Sequence, residues 1–239
     1  RIANETVAEW AKGFAVDFIG EEGANALTNS DYCLYLDPLD GTSTFIAGKA
    51  EVAVVLTLME RVGGGAWRPV HCIIAEPLTW TSWSVTRGQG VFIKGPSDSI
   101  MRRSEAAMRT TPPFNVTAIT WTGVPYHLDA VQLELVKHEE LTEHGSGNTA
   151  INGALIASGW MHGLLFAGKS AVESAAICLM VTEAGGVVTD LTGGPLELFR
   201  LEADERSGKP DFILERGIIA ASSPELATLL LRIVQQCNP

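Results

Sequence analysis

Basic side chains are scarce in this chain: 17 Lys and Arg stand against 28 Asp and Glu over 239 residues, for a formal net charge of −11 and a sequence pI near 4.9. Without a Lys/Arg stripe there is nothing to displace counterions from a phosphate backbone, so no nucleic-acid polymer is expected as a partner. No apolar run reaches the length of a membrane span, and the chain does not open on a basic segment followed by an apolar one. A cytoplasmic protein without a membrane partner is expected. Cysteine is sparse too. Cys33, Cys72, Cys178 and Cys237 lie far apart without Cys-x-x-Cys spacing, and three sit in apolar surroundings. Buried thiols are therefore expected rather than zinc ligands or disulfides. The five histidines show no ligand spacing, and His71, His127 and His138 receive no role. Internal repeats and low-complexity tracts are absent, and the scattered Trp and Met read as packing.

The composition that remains, 46% hydrophobic and 19% charged, is that of a globular chain large enough for a full core and one or two domains. The apolar pattern over 1–16 predicts an amphipathic helix that starts at once without a cap, so a preceding segment is expected. β-branched runs at 51–59 and 70–75 flank Val62-Gly63-Gly64-Gly65 as a hairpin, and strands are predicted at 79–85 and 90–93. Such a succession of short strands implies an antiparallel sheet. A polar segment, 97–113, ends in Thr-Thr-Pro-Pro and marks a domain boundary. Beyond it, strands at 116–120, 164–166, 187–189 and 218–221 alternate with helices at 128–138, 149–158, 171–184 and 224–236. The expected organisation is an N-terminal α+β domain, 1–113, leading into a C-terminal α/β domain, 114–239.

The stretch Leu34-Tyr35-Leu36-Asp37-Pro38-Leu39-Asp40-Gly41-Thr42-Ser43 is an apolar run that ends in two carboxylates and a turn. Pro38 has no N–H to give a ladder, so the strand should stop there, with Asp37 its last residue. Gly41 can bring the backbone close to a ligand, and Thr42 and Ser43 suit the start of a short helix over 44–47, where N–H groups favour a phosphate. A calcium loop of EF-hand type needs Glu at the twelfth position, which from Asp37 is Gly48. An aspartyl-phosphate phosphatase needs an Asp two residues before Asp40, where Pro38 stands. A divalent-metal site with the Leu39 carbonyl as a further oxygen ligand fits the spacing, and a solvated acidic turn is the plain alternative.

With Glu21-Glu22 upstream, the Asp37-Pro38-Leu39-Asp40-Gly41-Thr42 stretch resembles the inositol monophosphatase family, which carries Gly-Glu-Glu and then Asp-Pro-Leu/Ile-Asp-Gly-Thr at similar spacing. A second match runs from Gly168 to Asp190, where the family has Trp-Asp-x-Ala-Ala and then Glu-Ala-Gly-Gly-Val-x-x-Asp. Here the Trp-Asp pair is Val172-Glu173, while Ala175, Ala176 and Glu183 to Gly186 match as written. Gly-Ser-Gly-Asn-Thr-Ala-Ile-Asn, running on to Ala157-Ser158-Gly159, also fits the family's corresponding helix.

The resemblance implies a layered α-β-α-β-α sandwich of the sugar phosphatase type, a homodimer, and Mg2+-dependent hydrolysis of a small phosphorylated metabolite. It places Glu21, Asp37 and the Leu39 carbonyl on a first ion, and Asp37, Asp40 and Glu173 on a second. Gly41, Thr42 and Ser43 would receive the phosphate, and Glu21 and the Thr42 hydroxyl would orient a water for in-line attack. Hard oxygen ligands without His or Cys select Mg2+, with Mn2+ as a substitute. If these acids converge, each close pair repels by about 4 kcal/mol at ~4 Å, which cations relieve.

The chain departs from the family's pattern in three places. Glu173 replaces Asp and adds a methylene of reach. His162 and Phe166 stand where relatives specific for inositol phosphate place acids, so either both line the pocket and favour a nucleotide or sugar bisphosphate over myo-inositol phosphate, or both pack the sheet behind the site, as aromatic residues in short strands usually do. The water-orienting Asp that relatives carry before this region would fall ahead of Arg1. A rival expectation is a protein that keeps the fold and binds a phosphate ligand with weak or no turnover.

Overall fold

The computed structural model of the chain describes residues 2–14, 16–21, 25–98, 102–103, 111–120, 128–168, 171–203, 208–214 and 216–238. The first half runs α1 (Ile2–Lys12), β1 (Asp17–Gly20), β2 (Asn25–Ala26), β3 (Tyr32–Asp40), α2 (Thr42–Ile46), β4 (Ala53–Val62), β5 (Ala66–Glu76), β6 (Thr81–Thr86), β7 (Gly90–Lys94) and β8 (Arg102–Arg103). The second runs β9 (Phe114–Thr120), α3 (Asp129–Leu135), β10 (Leu141–Glu143), α4 (Thr149–Ala157), β11 (Gly163–Ala167), α5 (Val172–Glu183), β12 (Val187–Thr189), β13 (Phe199–Ala203), β14 (Pro210–Ile213), β15 (Ile218–Ala221) and α6 (Pro224–Cys237).

Among the described residues the strands form two sheets. One has the order β2-β1-β3-β4-β5-β6-β7-β8, with β13 joining β5 and β14 pairing β13; the other has the order β10-β9-β11-β15-β12. The first is antiparallel except where β1 runs parallel to β3. In β4 and β5 burial alternates residue by residue, as expected of strands with one face in a core. α1 covers the outer face of the first sheet through Ala11, Phe18, Leu34 and Leu36. α4 and α5 fill the space between the sheets, and α3 and α6 cover the far face of the second. The order of layers is α-β-α-β-α.

This layering explains why α5 has no polar stripe. Pressed between two sheets, it buries Ile177, Leu179, Met180 and Val181 on all sides, and each such side chain contributes about 1.5–3 kcal/mol relative to exposure. Gly153 lets α4 approach closely, since a Cβ there would stand 2.4 Å from Ile177 Cγ1. α5 ends where Gly185, at φ 92°, closes the last turn, with its N–H on Thr182 O and that of Gly186 on Val181 O. α6 starts at Ser223, whose hydroxyl accepts from Leu226 N at 3.2 Å ahead of Pro224.

The short strands β2, β8 and β10 and the β13–β14 hairpin lack a signal in the sequence. The hairpin carries a segment of the second half of the chain back onto the first sheet, where Phe199 pairs with Trp67. Phe212 then packs on Tyr35 and Trp67, tying the return in place. Cys33, Cys72 and Cys178 are buried free thiols, held above their ordinary pKa by desolvation. Among the described residues no helix is long and apolar enough to cross a membrane.

Candidate active site

β3 does not stop at Asp37, as Pro38 led us to expect, but continues to Asp40 through a bulge. Asp37 pairs with Val55 and Asp40 with Ala53, so three steps along β3 oppose two along β4. The extra residue accommodates Pro38, and it decides the chemistry. In a regular strand, positions three apart face opposite sides; the bulge restores the phase and turns both carboxylates to one face. Asp37 and Asp40 are 2% and 4% exposed. The bulge is braced by Leu39 N, which donates to Asp37 Oδ1 at 2.7 Å.

Glu21 arrives beside Asp37 by strand pairing. β1 lies parallel to β3, with Gly20 opposite Leu36, and Glu21 N continues the ladder onto Leu36 O at 3.0 Å. The two carboxyl groups are hydrogen-bonded to each other. Glu22, the other acid of that pair, lies outside the described residues, as does His127.

Glu173 comes from the first turn of α5 and is 1% exposed. One carboxylate oxygen from each of Asp37, Asp40 and Glu173 lies within 4.8 Å of the others. Burial raises the Asp37 pKa from 3.8 to about 7, and the charges of Asp40 and Glu173 push the same way; the hydrogen bonds from Glu21 and Leu39 oppose them. Asp40 is raised well above its ordinary value, first by burial and next by Glu173. The backbone N–H groups of Ala150, at 2.9 Å, and of Gly41 partly offset this. Buried carboxylates in such proximity favour a bound cation, and an all-oxygen donor set suits a hard divalent ion.

The turn after Asp40 is tightly built and leads into α2. Gly41 holds φ 87°, and a Cβ on it would meet Asn148 Nδ2 at 2.7 Å and Glu51 O and Thr44 Oγ1 at 2.8 Å, so only glycine fits. α2 begins at Thr42, not at 44 as the sequence pattern indicated, and its first intrahelical bond is Phe45 N to Gly41 O. The N–H groups of Thr42 and Ser43 therefore precede the first intrahelical bond. Thr42 and Ser43 are exposed, and the Thr42 hydroxyl donates to Leu39 O at 3.1 Å.

His162 and Phe166 do not line a cleft. Phe166 is 0% exposed on a strand paired on both sides, β11 between β9 and β15, with helices over both faces. Its ring lies under Gly168, where a Cβ would come within 2.2 Å of Cζ. His162 is 4% exposed, accepts from Asn115 N at 2.7 Å through Nδ1 and packs edge-on against Phe114. A strand buried on both faces converts aromatic residues to core, so the expected preference for bisphosphates loses its basis. One residue of the site escaped sequence reasoning. Asn148, at the start of α4, donates to Asp40 O at 2.9 Å; it lies in the Gly-Ser-Gly-Asn-Thr-Ala-Ile-Asn stretch that fits the family's helix and precedes Thr149 as an N-cap candidate, but neither signal gave it a role in the site.

The model of the inositol monophosphatase family matches residues 3–238 of this chain. The inositol-1-monophosphatase of Rhizobium meliloti is 29% identical over 230 residues, covering 93% of this chain and 75% of that protein. The Nus factor SuhB of Salmonella typhimurium is 26% identical, over 89% of this chain and 75% of its own length. Among solved structures, the extragenic suppressor protein SuhB of Bartonella henselae superposes with a TM-score of 0.72 at 26% identity, covering 98% of this chain and 87% of that one. The inositol monophosphatase of Anabaena, at 21% identity, shares the fold with a TM-score of 0.75 over 100% and 88% of the two chains. With the family's pattern extending over nearly the whole sequence and its layered fold reproduced, this chain belongs to the inositol monophosphatase family of metal-dependent phosphatases.

Proposed function

We propose that the protein is a Mg2+-dependent phosphomonoesterase acting on a small phosphorylated metabolite such as a sugar or inositol phosphate. The observation that carries this reading is the convergence of Asp37, Asp40 and Glu173, all buried, from a bulged strand and a helix of the opposite half of the chain. These residues fit a hard divalent ion, and Asp37, Asp40 and Glu173 would hold one, while Asp37 with Glu21 and the Leu39 carbonyl would hold a second. When bound, Mg2+ acidifies water and offsets negative charge on the phosphoryl oxygens.

The chain's own groups do the rest. Glu21, exposed next to Asp37, would orient the attacking water. Because the Thr42 hydroxyl gives its proton to Leu39 O, its oxygen lone pairs are available to accept from that water and orient it. The Thr42 and Ser43 amides, with Gly41 shaping the turn, receive the phosphate oxygens. Water oxygen bonds to phosphorus as the ester P–O bond breaks, the water gives up a proton to solvent, the departing alkoxide takes one from solvent, and the alcohol and inorganic phosphate are released.

A panel of myo-inositol 1-phosphate, fructose 1,6-bisphosphate and adenosine 3',5'-bisphosphate tests this through phosphate release. Release from at least one ester with Mg2+, abolished by EDTA and restored by added Mg2+ or Mn2+, is the expected result. Binding of these esters without phosphate release would favour a ligand-binding protein, a reading motivated by Glu173 in place of the family's Asp.

A further inference from the structure

Asn148 is 0% exposed, and both ends of its side-chain amide are engaged. Oδ1 accepts from Ile151 N at 2.7 Å, capping α4, while Nδ2 donates to the main-chain oxygen of Asp40 at 2.9 Å. Two residues on, Ala150 N donates to Asp40 Oδ2 at 2.9 Å. One helix start thus holds the backbone and the side chain of the same acid. The surroundings are interlocked. Glu51 Oε2 accepts from Gly147 N at 3.1 Å, Thr44 Oγ1 lies 2.6 Å from Gly41 O and 2.8 Å from Glu51 O with its one proton between them, and a Cβ on Gly147 would stand 2.4 Å from Thr44 Cγ2.

Capping alone does not call for asparagine. Ser, Thr and Asp cap helices about as well, but Ser and Thr lack a reach that spans to the Asp40 carbonyl, and Asp would set a carboxylate oxygen against it. The second bond is what demands an amide. Its orientation is fixed as well, since a flipped amide would face N–H with N–H and oxygen with oxygen.

We propose that Asn148 is a positioning residue for the ion site: by fixing the Asp40 backbone to the start of α4 it keeps Asp40 Oδ2 on Ala150 N and so holds the Asp40 carboxylate in its place beside Asp37 and Glu173. The inference rests on reading the Asp37, Asp40 and Glu173 cluster as an ion site. It also makes α4, an element of the second half of the chain, part of the support of an acid carried by the first.

The test measures Mn2+ affinity by electron paramagnetic resonance titration of the full chain, with no substrate present. Asn148→Ser keeps a cap and removes the donor to Asp40; Asn148→Gly, also tolerated at an N-cap, makes the same deletion should the Ser variant not fold. Ser223→Ala is the control, since it removes the α6 cap, away from the acids. Loss of an outer-shell partner lowers metal affinity by about 10- to 100-fold. We expect that weakening in the Asn148 variants and unchanged affinity in Ser223→Ala, with both classes lowered in unfolding temperature. Wild-type Mn2+ affinity in a folded Asn148 variant would overturn the proposal and leave Asn148 a helix cap alone. A wild-type chain that binds no Mn2+ would overturn both this proposal and the ion-site reading on which it rests.

Discussion

Asp37→Asn is expected to lower kcat/KM for phosphate release by about 10³-fold, corresponding to the several kcal/mol that a correctly held ion contributes to a phosphoryl transition state. Asp37 is singled out by its place. It lies against Glu21 on one side and against Asp40 and Glu173 on the other, so it joins both halves of the acidic group. Asparagine keeps the size and the bond from Leu39 N while removing the charge, which separates loss of ion binding from loss of the bulge. Asp40→Asn should cost nearly as much. Glu173→Ala should act chiefly on the Mg2+ concentration required. Near-normal activity of Asp37→Asn across a Mg2+ titration would refute the shared-ligand assignment.

The second large effect concerns stability without metal. In the folded chain without metal, burial pushes the Asp37 carboxyl up from 3.8 to about 7. Between those values the native state holds a proton that the unfolded chain has released, so unfolding is opposed less as pH rises. The contribution is fully present below 3.8 and lost as pH passes 7. At about 1.4 kcal/mol per pH unit, the loss is on the order of 4 kcal/mol, or roughly 10 °C in unfolding temperature for a chain of this size. His71, whose pKa burial lowers from 6.5, works in the opposite direction within the same range. The comparison that isolates the carboxylate is therefore wild type against Asp37→Asn in EDTA at pH 5 and pH 8. Wild type should lose more stability than the variant between the two, and Mg2+ at pH 8 should restore wild type selectively, because it binds the ionised acids. Equal losses in the two proteins would show that the Asp37 carboxylate carries no such strain.

Legibility in the sequence followed the physics of each element. The Asp-Pro-Leu-Asp stretch announced an acidic strand end, because proline and paired carboxylates are local signals. The bulge was not legible. Pairing register depends on β4, and it is the bulge that places Asp37 and Asp40 on one face. Glu173 sits in an apolar helix and was found only through the family's pattern, since burial between two sheets erases the amphipathic period. The β13–β14 hairpin stayed hidden because its partner, β5, is more than 120 residues away in the chain. For Phe166, the alignment to acids in relatives suggested a pocket, whereas pairing on both sides and helices above and below made it core. Asn148 reads as an ordinary cap in sequence, and its bond to Asp40 spans 108 positions.

Whether the three buried acids hold a divalent ion is measured most directly by anomalous X-ray scattering from crystals of the wild-type chain soaked in Mn2+, collected at the manganese edge. If they do, a peak stands bounded by the carboxylates of Asp37, Asp40 and Glu173 and is lost in Asp37→Asn crystals, which is the predicted result. A saturating soak that leaves that position without a peak, or puts manganese only elsewhere on the surface, would contradict it.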